Sequence, residues 1–121
     1  MQHQMDVGKE MAECIANCEE CHRSCLETTI HCLQMGGKHA ATDHIRLLMD
    51  CAQICQTSAD FMLRGSPYHS RTCAVCAEVS ERCAEDCLQI AAGTDEQMQA
   101  CAEVCNRCAQ SCRKMAHTRV A

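Results

Sequence analysis

The chain has very few of the large apolar and aromatic residues that normally build a hydrophobic core. It has no Trp, one Phe and one Tyr, and Ile, Leu, Val and Phe together make up 17 of its 121 residues. So low a content is typical of disordered chains. A folded core must therefore use another residue type, or gain stability from an ion whose site exists only in the folded state.

The chain also lacks the features of nucleic-acid-binding, membrane-spanning and exported proteins. It has no Lys/Arg cluster, its formal net charge is −5, and no apolar run reaches the roughly eighteen residues of a membrane span. Its first residues show no basic region followed by an apolar stretch, so no signal peptide is visible. We therefore expect no nucleic-acid partner, no membrane and a location in the cytosol, where thiols stay reduced.

Cysteine is abundant instead, with 15 residues, and eight Met accompany it. A buried neutral Cys packs as a small hydrophobe, and Met fills irregular gaps. Most successive cysteines are three, four or seven residues apart, which is the spacing of one helix face. The fifteen are Cys14, Cys18, Cys21, Cys25, Cys32, Cys51, Cys55, Cys73, Cys76, Cys83, Cys87, Cys101, Cys105, Cys108 and Cys112.

Glycine and proline divide the chain into four helical segments of one domain, residues 1–121. The breaks predict helices over about residues 6–35, 43–64, 67–92 and 95–117. Ser66-Pro67 resembles an N-cap followed by Pro at the first helical position, and the run Thr94 to Gln97 resembles a capping box. Short connections imply antiparallel neighbours, so we expect an all-α, up-down-up-down antiparallel four-helix bundle with a Cys-lined core.

Helical phase directs the cysteines of every segment toward a common axis. At about 100° per residue, the cysteines of each predicted helix fall on one face, with Ser80 at a Cys-like position of the third. Thiolates are the soft ligands that select Cu(I). One Cu(I) per thiolate leaves the core near neutral, whereas zinc bound by four thiolates leaves two negative charges per site, which is costly to bury. Multiple Cu(I) ions are therefore predicted; zinc or a cadmium-like ion is the alternative.

Other interpretations of the cysteines fit the pattern less well. Residues three or four apart within a helix have poorly directed Cβ vectors for a disulfide. Inert filler would not require fifteen thiols on four converging faces. The run from Cys18 to His22 matches the C-x-x-C-H pattern of haem attachment, but it lies inside a longer thiol row. Iron–sulfur clusters usually use closely spaced loop cysteines.

Methionines and histidines mark the two ends of the predicted bundle. A thioether or imidazole at a mouth could receive Cu(I) and pass it inward; the alternative is that Met simply fills core ends. One end gathers Met11, Met62, His69 and Met115, and the other gathers His44 and Met98. The remaining histidines, His3, His22, His31, His39 and His117, are expected to be solvated.

Two predicted helices carry apolar residues outside the cysteine stripe. On the first these are Ile15, Leu26 and Leu33, and on the second they are Ile45, Leu47, Leu48, Ile54 and Phe61. Surplus apolar surface on a small domain suggests contacts between subunits. The alternative is that these residues only close the seams between helices.

The cysteine rows resemble those of the bacterial copper storage proteins, which are small Cys-rich four-helix bundles. The motifs are Cys14-x3-Cys18-x2-Cys21-x3-Cys25, Cys73-x2-Cys76 followed by Cys83-x3-Cys87, and Cys101-x3-Cys105-x2-Cys108-x3-Cys112. The resemblance covers about residues 6–117 and implies many Cu(I) ions held by Cys thiolates, the cytosolic type and a homotetramer. Ser80 and a second helix with only two cysteines depart from it.

These observations predict storage and sequestration of multiple Cu(I) ions, not catalysis. A thiol-based redox or peroxide-consuming enzyme is one alternative, and it would need an accessible thiol of low pKa with a resolving partner. A metallochaperone for copper or zinc is another, and it would need only a single exposed ligand pair.

Overall fold

A computed structural model describes residues 2–117, with side chains from Gly8 onward. Its elements are α1 (Gln2–Met35), a 3-10 helix (Gly37–Ala40), α2 (Thr42–Leu63), α3 (His69–Ala91) and α4 (Glu96–Ala116). No strand occurs within this range, so the all-α prediction is confirmed. Residues 1 and 118–121 of the predicted domain, and the side chain of His3, lie outside the described part.

The helices form a ring in which each packs against both of its neighbours and α4 closes against α1. Contacts between their ends show that neighbours run antiparallel. Cys14 near the start of α1 meets Cys112 near the end of α4, and Cys25 further along α1 meets Cys101. The predicted four-helix bundle with a cysteine-lined core is confirmed.

Two helix starts differ from the predicted caps. The Ser66 hydroxyl accepts a hydrogen bond from the Tyr68 N–H, and α3 begins only at His69. At α4 the cap is Asp95, whose Oδ1 accepts the Met98 N–H at 3.1 Å. Thr94 donates instead to the Ala91 carbonyl. Both predictions chose the correct turn and the wrong capping residue, since the cap depends on which side chain meets a free backbone N–H.

Sulfur and small side chains fill the interior. All fifteen cysteines are at most 1% exposed, and Leu48 is the largest aliphatic side chain that is fully buried. Alanines accompany the thiols on every helix after α1, which keeps the helices close together. Ile15, Ile45, Leu47 and Ile54 are half-buried against this core and close the seams between helices, whereas Leu26 and Leu33 remain exposed.

The end of α3 places a non-glycine residue in the left-handed region. Ala92 has φ 48° and ψ 36°, and its N–H donates to the Leu88 carbonyl. Gly93 follows with φ 82°. An L-residue with a Cβ is disfavoured in this region by about 1–2 kcal/mol, whereas glycine adopts it freely. The α3–α4 connection therefore contains a strained alanine beside an unstrained glycine.

We expect Ala92→Gly to raise the free energy of unfolding of the metal-free, reduced protein by about 0.5–1 kcal/mol. Relief of the left-handed strain exceeds the entropy that glycine adds to the unfolded chain. Thermal or urea unfolding followed by circular dichroism measures the change. Ala91→Gly, one position earlier inside the helix, is the matched control and should destabilise. Equal destabilisation by both variants would contradict the strain argument.

Candidate metal centre

The fifteen thiols are free and line the interior of the bundle as one row along its axis, which Ser80 interrupts. Every Cys in the described range is reduced and buried, with no disulfide among them. Many of their sulfur atoms contact sulfurs of other helices, as in the Cys18–Cys112 contact at 3.5 Å and the Cys25–Cys101 contact at 3.9 Å. All four helices contribute, because each places its cysteine stripe toward the axis.

Sulfur atoms gather into groups that could each hold an ion. Within each group, one atom per residue lies within 4.8 Å of all the others. Two groups have four members: Cys18, Cys76, Cys108 and Cys112 in one, and Cys21, Cys25, Cys51 and Cys105 in the other. Two groups have three members: Cys14, Cys73 and Cys112, and Cys21, Cys55 and Cys108. Because Cys21, Cys108 and Cys112 each belong to two groups, successive ions could share bridging sulfurs.

The observed spacing is close to that of metal–thiolate sites. For metal–sulfur bonds of about 2.3 Å, three sulfurs around a trigonal ion lie about 4.0 Å apart, and two across a linear ion about 4.6 Å. The Cys55–Cys76 and Cys25–Cys101 sulfurs are 3.6 and 3.9 Å apart. Side-chain rotations that open these contacts by less than about 1 Å therefore suffice to admit an ion.

Hydrogen bonds between neighbouring thiols shift the pKa values of the two partners in opposite directions. The bond to Cys101 raises the pKa of Cys105, and the same contact lowers the pKa of Cys101. Cys112 and Cys108 form a second such pair, in which the pKa of Cys112 is raised. A cysteine that accepts a hydrogen bond from a neighbouring thiol is stabilised as thiolate, and the donor must keep its proton. The empty row therefore retains protons that metal ions must displace.

Hydrogen bonds to cysteines of α4 also shift the pKa values of two cysteines of α3. The bond from Cys105 lowers the pKa of Cys83 to about 7, and the bond to Cys101 raises that of Cys87. At the end of α1, burial and the Asp95 carboxylate raise the pKa of Cys32 to about 12. Cys32 is therefore a protonated thiol at neutral pH.

Ser80 interrupts the sulfur lining on α3. Its hydroxyl oxygen lies 3.6 Å from the Cys51 sulfur and 3.8 Å from those of Cys55 and Cys76. It is fully buried, in the place that a thiol would otherwise occupy. A hydroxyl is a harder and weaker ligand for a soft ion than a thiolate. This part of the interior is therefore poorer in ligands than the rest.

His44 faces a sulfur pair at one end of the row. Its Nε2 lies 3.3 Å from the Cys32 sulfur, which is also 3.3 Å from the Met98 sulfur. The Asp86 carboxylate contacts His44 Nδ1 at 2.6 Å. Because a carboxylate only accepts, Nδ1 carries a hydrogen, and Nε2 is the ring atom that faces the sulfurs. Metal-binding histidines are oriented by such a partner.

His69 occupies a similar position at the opposite end. Its Nδ1 donates to the Ser66 carbonyl at 2.9 Å, and the ring is 1% exposed. Its Nε2 is buried without a hydrogen-bond partner among the described residues. Met62 contacts the Cys73 sulfur at 3.8 Å, Met115 is fully buried, and Met11 packs against the core. Of the residues predicted for this end, Met62 is therefore the one with a described contact to a cysteine sulfur.

Three of the remaining histidines differ from the solvated state expected of them. His22 Nδ1 lies 2.7 Å from the Ala52 carbonyl, and His31 and His39 both contact Asp95. Only His117, of those described, is exposed as expected. The contacts of Asp86 and Asp95 with histidines were not predicted, because each carboxylate lies more than forty positions from the histidine that it contacts. Their only signal was an acidic residue beside a cysteine or a helix start.

Comparisons with known proteins place the chain in a family. A family model described as "copper storage protein" matches residues 7–117. The chain belongs to the copper storage protein family. Storage of copper by cysteine-rich four-helix bundles is the property of this family, as the resemblance of the cysteine rows predicted.

Solved structures of related proteins cover nearly the whole bundle. Nmul_A1745 from Nitrosospira multiformis is 44% identical, with TM-score 0.82 over 90% of this chain and 96% of its own. The Cu(I)-bound copper storage protein BsCsp3 of Bacillus subtilis is 34% identical, with TM-score 0.80 over 88% and 98%. A cytosolic copper storage protein from Streptomyces lividans, solved during copper loading, is 31% identical, with TM-score 0.82 over 91% and 94%.

One curated relative gives a shorter match. The uncharacterized cysteine-rich protein YhjQ of Bacillus subtilis is 35% identical over 62 residues, which are 51% of this chain. The match spans 57% of that relative's length. Among residues 2–117, none of the helices combines the length and apolar character needed to cross a bilayer.

We expect His44 and His69 to carry their hydrogen on Nδ1 when the imidazole is neutral. The acceptors Asp86 and Ser66 O leave no other assignment, and at His44 this places the unprotonated Nε2 beside the Cys32 sulfur. Long-range proton–nitrogen NMR of the metal-free protein, at a pH well above the ordinary His pKa of about 6.5, reads the tautomer directly. His117, which has no such anchor, is the internal control. A hydrogen on Nε2 of either ring would contradict the geometry.

Proposed function

We propose that the protein stores and sequesters Cu(I) as cargo, bound by the fifteen core cysteines. The single observation that carries this proposal is the convergence of fifteen buried free thiols from all four helices on one interior, where most of the sulfurs belong to groups whose members lie within 4.8 Å of one another. An isolated pair would suit delivery of one ion. A row of shared ligand groups suits accumulation of many.

Charge and softness favour copper in the +1 state over other ions. Each thiolate carries one negative charge and each Cu(I) one positive charge, so a filled interior stays near neutrality. Zinc bound by four thiolates would instead leave two negative charges per site, and no Lys or Arg is buried among the described residues to compensate them. Because thiolates must form as ions bind, loading should release protons to solvent.

We assign the first and last ligands of the row to the two ends of the bundle. His44 and Met98 join Cys32 at one end, and Met62, which contacts Cys73, would act with Met11, His69 and Met115 at the other. Imidazole and thioether groups bind Cu(I) without the need to lose a proton from a thiol. They can therefore bind an incoming Cu(I) ion first. The ion then passes to interior cysteines, whose thiols release their protons as they bind it.

We further propose that the protein is not an enzyme and acts in the cytosol. A thiol-based redox or peroxide-consuming enzyme needs an accessible sulfur, yet every described cysteine is at most 1% exposed. Its family stores copper, and the Streptomyces lividans relative is described as cytosolic. A reducing compartment keeps the row in the free thiol form that binding requires.

Titration with Cu(I) under anaerobic conditions should give roughly one tightly bound ion per cysteine, with the stoichiometry set by charge neutrality. A strong competing chelator in the solution reports which ions are held tightly, and zinc in equal concentration tests metal preference. Saturation at one or two ions would instead support a metallochaperone. Preferential uptake of zinc would contradict the copper assignment, and rapid peroxide consumption by the metal-free protein would favour the enzyme.

Ser80→Cys should raise the Cu(I) capacity by about one ion per chain, because it completes the ligand set beside Cys51, Cys55 and Cys76. The same competitive titration measures this increment. Ser80→Ala is the matched control, since it removes the hydroxyl without adding a ligand and should leave the capacity unchanged. A capacity that is equal in all three proteins would mean that this part of the interior holds no ion.

We also propose that copies of the chain associate through the α1–α2 face. Leu26, Ile30 and Leu33 share one face of α1 and are 45–57% exposed. Met49 of α2 lies between them, in two adjoining grooves of about 480 and 510 Å³. An apolar patch of this kind on a small domain is typical of an interface. The family resemblance implies four copies.

Leu33→Glu should shift the assembly toward the monomer, because it places a charge in the apolar face. Sedimentation velocity measures the mass of the wild type and the variant at equal concentration. Val75→Glu on α3 is the matched control, since Val75 is 52% exposed and lies away from the α1–α2 grooves. A monomeric wild type, or equal dissociation of both variants, would contradict this interface.

A further inference from the structure

A second constellation of metal-ligating side chains lies outside the sulfur row. His31 near the end of α1, His39 in the 3-10 helix and Asp95 at the start of α4 converge on one point. The Nε2 atoms of His31 and His39 lie 2.8 and 2.9 Å from the same Asp95 oxygen, Oδ2. One ligand atom from each of the three residues lies within 4.8 Å of the other two. The three come from segments separated by up to 64 positions.

Asp95 divides its two carboxylate oxygens between two tasks. Oδ1 accepts the Met98 N–H and so caps α4, which leaves Oδ2 for the histidines. The hydrogen bonds from His31 and the Met98 N–H outweigh the effect of burial and lower the pKa of Asp95 to about 2. The carboxylate is therefore ionised at neutral pH and offers a negative oxygen between two imidazole rings.

The cluster is open to solvent, unlike the thiol row. The His31 and His39 side chains are 28% and 18% exposed, and that of Asp95 is 9% exposed. They line a shallow surface depression of about 420 Å³ together with Met35 and Thr94. The rings meet edge to face, with centroids 6.0 Å apart. An aquated ion can reach this place, and water can fill the remaining coordination positions.

We propose that His31, His39 and Asp95 form a binding site for a divalent borderline metal ion of the zinc type, separate from the Cu(I) row. Two imidazoles and one carboxylate with an open position are a ligand set that such ions take. The site contains no sulfur, and its one carboxylate and two imidazoles suit a divalent ion and lack the soft ligands that select Cu(I).

Little movement is needed to form the site. Ligand atoms of a tetrahedral zinc ion lie roughly 3.3 Å apart for bonds of about 2.0–2.1 Å, so each contact opens by about half an ångström. In the empty state both rings donate Nε2–H to Asp95. On binding, each ring moves its hydrogen from Nε2 to Nδ1 by exchange with water, and the Nε2 lone pair binds the ion. No net proton is lost from a neutral ring.

The site joins three elements that meet beside one end of the sulfur row. His31 precedes Cys32, and Asp95 caps the turn that carries Met98, whose sulfur contacts Cys32. A bound ion replaces two hydrogen bonds by coordination bonds and so holds the ends of α1 and α4 and the 3-10 helix together. Its occupancy is independent of whether the core stores copper.

Zinc added to protein labelled with nitrogen-15 in histidine tests the proposal. The core is first filled with Cu(I) under anaerobic conditions, because empty thiols would also take zinc. We expect one equivalent of zinc to shift the Nε2 resonances of His31 and His39 and to move their hydrogens to Nδ1. Failure of copper storage would appear earlier, as low Cu(I) uptake, and the two rings can then be read in the metal-free protein at higher zinc.

Asp95→Asn is the sharpest variant, because asparagine caps a helix as well as aspartate does and removes only the charge. Zinc affinity at the two rings should fall at least about tenfold in Asp95→Asn and in His39→Gln. His22→Gln, which changes a half-buried histidine of α1 outside the cluster, should leave it unchanged. Absence of a zinc-dependent shift at large excess, a move of both ring hydrogens to Nδ1 with Cu(I) alone, or unaltered affinity in Asp95→Asn would each overturn the proposal.

Discussion

The structure depends on one set of atoms that acts both as hydrophobic core and as ligand set. A protonated, buried thiol packs as a small apolar group, so fifteen cysteines can hold four helices together in the absence of metal. The same sulfurs, once deprotonated, bind soft ions. Since the thiol side chain is short and alanines accompany it, the helices pack closely enough for sulfurs of different helices to touch. The ligand spacing is thus a consequence of core packing.

Hydrogen-bonding partners distinguish the ends of the bundle from its interior. In the interior, thiols contact thiols and Ser80. At the ends, His44 and His69 appear, and each ring is oriented through Nδ1 by a group that can only accept, Asp86 in one case and a backbone carbonyl in the other. Both rings therefore have an orientation fixed by hydrogen bonding, whereas the interior thiols must lose protons before they can bind metal.

Asp95 links the fold to the chemistry of one end. It caps α4 through one oxygen and contacts two histidines through the other, so a single side chain sets the start of a helix and the position of Met98 beside Cys32. From the sequence we predicted a helix cap in this turn but assigned it to Thr94, and we expected His31 and His39 to be solvated. Neither partner of Asp95 is near it in the chain, and no periodic pattern could have joined them.

The sequence by itself determined the number of thiols, the four helices and the inward direction of each cysteine stripe, because helical period and glycine breaks are local properties. Tertiary structure alone decided which sulfurs share a group, why Ser80 lies among Cys51, Cys55 and Cys76, and which carboxylate orients which ring. Those contacts join residues tens of positions apart, and their distances depend on the relative shift of neighbouring helices, which packing of the whole bundle sets.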